Sequence, residues 1–131
     1  MRLQKAASNL CIPEMSYGFG KIIKFDTFTS CIGIVSTANN DKELIGIHLG
    51  LFQGSTSTSV DDMHWVESIL RWSNYNKQKF NIIGLRDFWP LPILQRLRSL
   101  GEPAREPGPG ARDGICGASL IHGNILIQCP A

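Results

Sequence analysis

Short apolar runs divided by polar turns fill the first half of the chain, and helical stripes appear only in the second. Cys31-Ile32-Gly33-Ile34-Val35-Ser36 and Leu44-Ile45-Gly46-Ile47-His48-Leu49 are both rich in β-branched residues, with a mostly polar stretch at 37–43 between them. This pattern predicts a β-hairpin, because Asn39-Asn40 tolerates the positive φ that tight turns require. Residues 21–25 (Lys-Ile-Ile-Lys-Phe) read as a short strand ahead of it. Ser59-x-x-Asp62 resembles a capping box before a helix over about 61–74, which places Trp65, Val66, Ile69, Leu70 and Trp72 or Ser73 around one broad face. Residues 80–84 read as another strand. Pro90 and Pro92 suit the entry of a second helix over about 91–100, with Leu94, Leu97 and Leu100 on one stripe and Gly101 ending it. Residues 102–113, dense in proline and glycine, predict an irregular loop. A closing hairpin centred on His122-Gly123 sets Cys116 opposite Cys129, Ala118 opposite Ile127 and Leu120 opposite Ile125. Strands with two amphipathic helices predict an α+β fold: mostly antiparallel sheet layers with two helices packed on one face, the Trp and Leu stripes forming core. The expected organisation is a single domain over 1–131, with residues 1–19 as an N-terminal extension.

The first hairpin carries candidate chemistry. Centred on Asn39-Asn40, it sets Ile34 opposite Ile45, Ile32 opposite Ile47 and Cys31 opposite His48. Directly opposed residues have Cβ atoms about 5 Å apart, within reach of a thiol and an imidazole. A thiol beside an imidazole is the minimum apparatus of a cysteine nucleophile. The isoleucines share one face, which predicts core. Cys31, Gly33, Val35, Gly46 and His48 share the other, where Gly33 and Gly46 leave a strip with almost no side chain. Such a strip predicts a shallow slot for a ligand. The same residues also fit a structural reading, in which Cys31 is a small buried hydrophobe, His48 satisfies a hydrogen bond and the glycines relieve crowding.

Composition narrows the classes. A chain of 131 residues is one domain by size, and 43% hydrophobic with 18% charged residues is ordinary for a globular protein. A net charge of +2, without a dense basic stripe, argues against nucleic-acid binding. No stretch approaches the length of an apolar membrane span, and residues 1–10 lack the continuous apolar segment of a secretory signal. The expectation is therefore a cytoplasmic protein, or one delivered into a host cell by a signal-peptide-independent route. In a reducing compartment Cys11, Cys31, Cys116 and Cys129 are expected as thiols, with Cys116 and Cys129 inert in the core. A cross-strand disulfide or half of a metal site is the alternative for that pair. No Cys-x-x-Cys or His-x-x-x-His spacing is present, so spacing points to no metal and no cofactor. The Ser/Thr-rich stretch at 54–59 reads as a solvated connection or a lid beside the His48 strand. His64, in a first helical turn, and His122, in a hairpin turn, are weaker candidates for a base than His48.

Ser30-Cys31-Ile32-Gly33-Ile34-Val35 followed by Leu44-Ile45-Gly46-Ile47-His48 resembles the CheD family of chemoreceptor glutamine deamidases, whose fold and Cys–His logic are shared by the cytotoxic necrotizing factors. Gly84-Leu85-Arg86-Asp87 and the closing segment at 117–127 are similar to later parts of the same family, so the order of motifs agrees over about residues 20–129. The resemblance implies a glutamine deamidase acting on a protein substrate, with Cys31 as nucleophile and His48 as base. CheD-type members use a threonine six residues before the cysteine to orient the histidine, and here Phe25 occupies that position. Thr27, Thr29 or a backbone carbonyl then takes the orienting role, and Thr29 is the side chain expected to do so. The departures before Cys31 favour an effector-like toxin or a divergent stand-alone enzyme. A non-catalytic interaction module of the same fold, and a cysteine hydrolase of peptidase or transglutaminase type, are the competing readings.

Overall fold

The computed structural model describes residues 2–108 and 113–130, so residues 109–112 of the expected irregular loop lie outside the described part. In chain order the elements are β1 (Gln4–Lys5), β2 (Ser16–Gly20), β3 (Ile22–Lys24), β4 (Ile32–Ala38), β5 (Glu43–Leu49), β6 (Phe52–Gln53), β7 (Thr56–Ser57), α1 (Met63–Trp72), β8 (Asn81–Gly84), α2 (Leu91–Arg98), β9 (Gly117–Ile121) and β10 (Asn124–Gln128). A five-stranded sheet runs β1-β2-β5-β4-β8, a three-stranded sheet runs β10-β9-β3, and β6 and β7 form a small hairpin. Among the described residues the strand pairings are antiparallel except β1 with β2. The class is α+β, with both helices on one face of the larger sheet.

That face is the isoleucine face of the β4–β5 hairpin. Ile32, Ile34, Ile45 and Ile47 pack against Met63, Val66 and Leu70 of α1 and Ile93, Leu94 and Leu97 of α2. On the opposite face a second core of Ile12, Ile23, Phe25, Phe28, Cys31, Val35 and Ala118 lies between the two sheets. The result is three layers, helix on sheet on sheet. No helix among the described residues is long and apolar enough to cross a membrane.

Several expectations need correction. The segment read as an N-terminal extension supplies β1 and β2, and β2 pairs along β5 from Ser16 opposite His48 to Gly20 opposite Leu44. The strand expected at 21–25 forms as β3 but joins the second sheet through β9. Helix α1 buries Met63, Val66 and Leu70, whereas Trp65 and Trp72 are 45% and 70% exposed. The i, i+3, i+7 stripe through Met63 faces the sheet, and both tryptophans lie round the helix from it. Trp72 instead meets the ring of Phe19 edge-on at 6.0 Å. Ser59 and Asp62 do cap each other's backbone N–H, at 2.8 and 3.3 Å. The closing hairpin has the predicted register, but Cys116 and Cys129 form a disulfide instead of two free thiols.

Candidate active site

The central hairpin differs from its expected register. Gly33 lies opposite His48, Ile34 opposite Ile47 and Ile32 opposite Leu49, a slip of two residues on one strand. The cause is the turn. Asn39, Asn40 and Asp41 all adopt positive φ (53°, 62° and 61°), so the strands close at Ala38 and Glu43 around a longer loop. An even slip leaves every side chain on its predicted face. Cys31, just before β4, therefore still shares the inter-sheet face with His48.

The glycine strip is not a slot. A Cβ on Gly46 would lie 2.5 Å from Ile23 Cδ1 and 3.0 Å from Phe25 Cζ, and one on Gly33 would lie 2.9 Å from Phe25 Cε2. The glycines admit the second layer, and Phe25 fills the space they leave. Phe25 and Phe28 also wall His48, their ring centroids 5.7 and 4.8 Å from the imidazole in edge-on contact.

His48 is fully buried, and its Nδ1 lies 2.7 Å from the carbonyl oxygen of Ile12. A carbonyl only accepts, so Nδ1 carries the proton and Nε2 the lone pair. Nε2 is itself buried, with no hydrogen-bond partner among the described residues. Burial pushes the imidazole pKa below its ordinary value, opposed by the Ile12 bond and the charges of Glu14 and Asp26. The ring is held neutral, in the tautomer of a general base.

Cys31 is pinned through its backbone. Its carbonyl accepts from Leu85 N–H at 3.0 Å, and the preceding Ser30 carbonyl accepts from the Trp89 indole at 2.8 Å. Its thiol donates to Glu14 Oε1 at 3.0 Å. Burial first, then the Glu14 hydrogen bond, push the thiol up to about 12, against the backbone N–H groups of Thr29 and Ser30, which favour the thiolate. Sγ, a Glu14 carboxylate oxygen and a His48 ring nitrogen all lie within 4.8 Å of one another. At rest the pair is a neutral thiol beside a neutral imidazole, and the thiol proton points at the carboxylate.

One turn delivers both auxiliary groups. Residues 12–15 cross the end of β5, with Met15 at φ 58° and its N–H on the His48 carbonyl at 2.7 Å. The turn thus sets the Ile12 carbonyl on Nδ1 and the Glu14 carboxylate on Sγ. The Ser/Thr-rich connection is a short hairpin rooted on this turn: Thr58 Oγ1 donates to Gly50 O at 2.6 Å, and a Cβ on Gly50 would sit 2.9 Å from Glu14 Oε2.

No family model matches the sequence, and no curated protein or solved structure matches it either.

Of the residues expected from sequence, Cys31 and His48 are brought together. Thr29 is exposed and favours the Cys31 thiolate through its backbone, while the orienting bond to His48 comes from Ile12. His64 and His122 are exposed, the first with Nδ1 on its own turn at Asp61 O. Sequence reasoning missed Ile12, Glu14, Phe28 and Trp89. Ile12 acts through a carbonyl, which every residue possesses, so its side chain carries no signal. Glu14 belongs to a turn whose path depends on β2 pairing with β5.

Proposed function

We propose that the chain is a cysteine hydrolase that deamidates glutamine side chains of a protein substrate. The observation that carries this reading is the buried His48, which shares a face with Cys31 and has a ring nitrogen within 4.8 Å of the sulfur, its Nδ1–H fixed on a backbone carbonyl and its Nε2 without a partner among the described residues. In this reading the substrate carboxamide displaces Glu14 from the thiol. Nε2 then takes the S–H proton and the thiolate attacks the carboxamide carbon. The backbone N–H groups of Thr29 and Ser30, which favour the Cys31 thiolate, are in this reading the donors to the developing oxyanion. The carbon–nitrogen bond breaks, and the departing nitrogen takes the proton from Nε2 and leaves as ammonia. A water molecule, deprotonated by Nε2, cleaves the thioester to give a glutamate carboxylate and the restored thiol. The choice of glutamine rests on the likeness of the Ser30-Cys31 and Gly46-Ile47-His48 steps to the CheD family, and not on the shape of the site.

One observation favours a second reading. A thiol pushed up to about 12 is a poor nucleophile at rest, which suits a non-catalytic interaction module with a structural cysteine. The experiment that separates the two incubates the protein with a bacterial or host-cell extract and maps glutamine-to-glutamate conversion by mass spectrometry. Conversion at defined glutamines that is lost in both Cys31→Ser and His48→Ala supports the deamidase. An unchanged glutamine population with wild-type protein, together with no released ammonia, sinks it.

A further inference from the structure

The three polar groups at the site come from separate segments: a turn residue, the residue ahead of β4 and a residue of β5. Their side chains offer one oxygen, one sulfur and one imidazole nitrogen, all within 4.8 Å of one another. We propose that Glu14, Cys31 and His48 form a binding site for a divalent metal ion of the zinc class, and that the loaded site withholds the thiol from hydrolysis. The inference rests on the same Cys31–His48 juxtaposition as the deamidase reading but requires no turnover.

The donor set fits such an ion. Zinc accepts thiolate, imidazole and carboxylate together, and three protein ligands leave a fourth position for water. The second observation is Nε2 itself, a ring nitrogen on a fully buried side chain with no hydrogen-bond partner among the described residues. Its Nδ1–H rests on the Ile12 carbonyl, the outer bond that fixes tautomer and ring direction in metal-bound histidines. Ligand bonds of roughly 2.0–2.3 Å place the atoms of a tetrahedral site about 3.3–3.7 Å apart. The Sγ–Oε1 separation of 3.0 Å lies just under that range, and the outer bound of 4.8 Å lies about one ångström beyond it. Glu14 is exposed, so its side chain is free to adjust and its edge gives the ion a way in. On binding, the S–H bond breaks, the proton passes to solvent and the freed sulfur pair forms the metal–sulfur bond. The ion also takes the imidazole lone pair that hydrolysis uses as base and lowers the charge on the sulfur, so the loaded and hydrolytic states exclude each other.

The test uses the whole chain carrying Cys11→Ser, which removes the other free thiol, with the Cys116–Cys129 disulfide intact. Cobalt(II) titrated into it is expected to give one equivalent of binding, a thiolate-to-metal charge-transfer band and the visible bands of a four-coordinate ion, all displaced by zinc. Cys31→Ser is expected to abolish the charge-transfer band. Glu14→Gln, an exposed change whose fold is checked by circular dichroism, is expected to weaken binding by at least the roughly 10–100-fold that loss of an outer partner costs. Zinc is also expected to protect Cys31 from iodoacetamide, and a chelator to restore labelling. Absence of the stoichiometric spectrum, its survival in Cys31→Ser, or unchanged affinity in Glu14→Gln overturns the proposal. Failure of the deamidase reading would show separately, as unmodified glutamines with chelator-treated protein, and would leave the cobalt spectrum untouched.

Discussion

At the scale of single residues, the state of the Cys31 sulfur is set by burial and by one carboxylate. A folded pKa near 12, raised from an ordinary 9.0, means less thiolate at every pH below that value. Well below the pKa, raising it by one lowers the thiolate fraction about tenfold. Iodoacetamide labelling of wild-type Cys31 is therefore expected to keep rising through pH 9 without the plateau of an ordinary thiol, while exposed Cys11 serves as an internal reference. In Glu14→Gln the charge that favours the protonated form is lost and the hydrogen bond is left with a neutral, weaker acceptor, so labelling at fixed pH is expected to speed up several-fold. It does not reach the rate of Cys11, because burial is the larger cause and stays in place. Peptide mapping of the adducts reads both outcomes, and a Glu14→Gln rate equal to wild type would remove the carboxylate from this role. The same residue scale shows what sequence makes legible. Cys31 and His48 were recognisable because their side chains carry the chemistry, whereas the Ile12 carbonyl was not, since it depends on where the backbone passes.

At the scale of elements, the β4–β5 hairpin shows why face assignment outlasts register. Alternation of apolar and small residues placed Ile32, Ile34, Ile45 and Ile47 on the helix side, and a period of two is preserved under any even slip. Register depended on turn geometry, and three consecutive left-handed residues at 39–41 lengthened the loop in a way that Asn-Asn alone does not announce. The glycines were misread for a related reason. Their lack of a side chain was visible in the sequence, but their occupant, Phe25 with Ile23, comes from an element that crosses from the other sheet. Gly46→Ala is accordingly expected to cost about 1–3 kcal/mol by crowding that layer. Ile23→Val removes the Cδ1 atom that the new methyl meets at 2.5 Å, so the double variant is expected to be less destabilised than the sum of the singles. Urea midpoints at constant slope measure the coupling. Strict additivity would show that Ile23 is not what the glycine accommodates.

At the scale of the whole molecule, the site depends on a layer that the helices do not touch. His48 and Cys31 face the inter-sheet core, whose outer wall is β3 and β9. Phe25 and Phe28, which enclose the imidazole, are tied to the chain before β9 by Phe25 N–H on Cys116 O at 2.9 Å and Phe28 N–H on Gly114 O at 2.8 Å. The Cys116–Cys129 disulfide then staples β9 to β10 across a separation of 13 residues. Closing a loop of that length restricts the unfolded chain by about 2–3 kcal/mol, so reduction is expected to lower the unfolding free energy by that amount, read as a lower urea midpoint. The same reductant is expected to leave the Cys116→Ser/Cys129→Ser double variant unchanged. The loss should also be local, because the two cores lie on opposite faces of one sheet and only the inter-sheet core borders the staple. Amide hydrogen exchange is expected to quicken first in β3, β9 and β10, while β4 and β5, each paired on both sides, keep their protection. Cys31 labelling should rise in step, since the aromatic wall over His48 loosens with β9. Uniform loss of protection across both sheets would mean that the molecule opens as one unit and that the staple does not specifically guard the site.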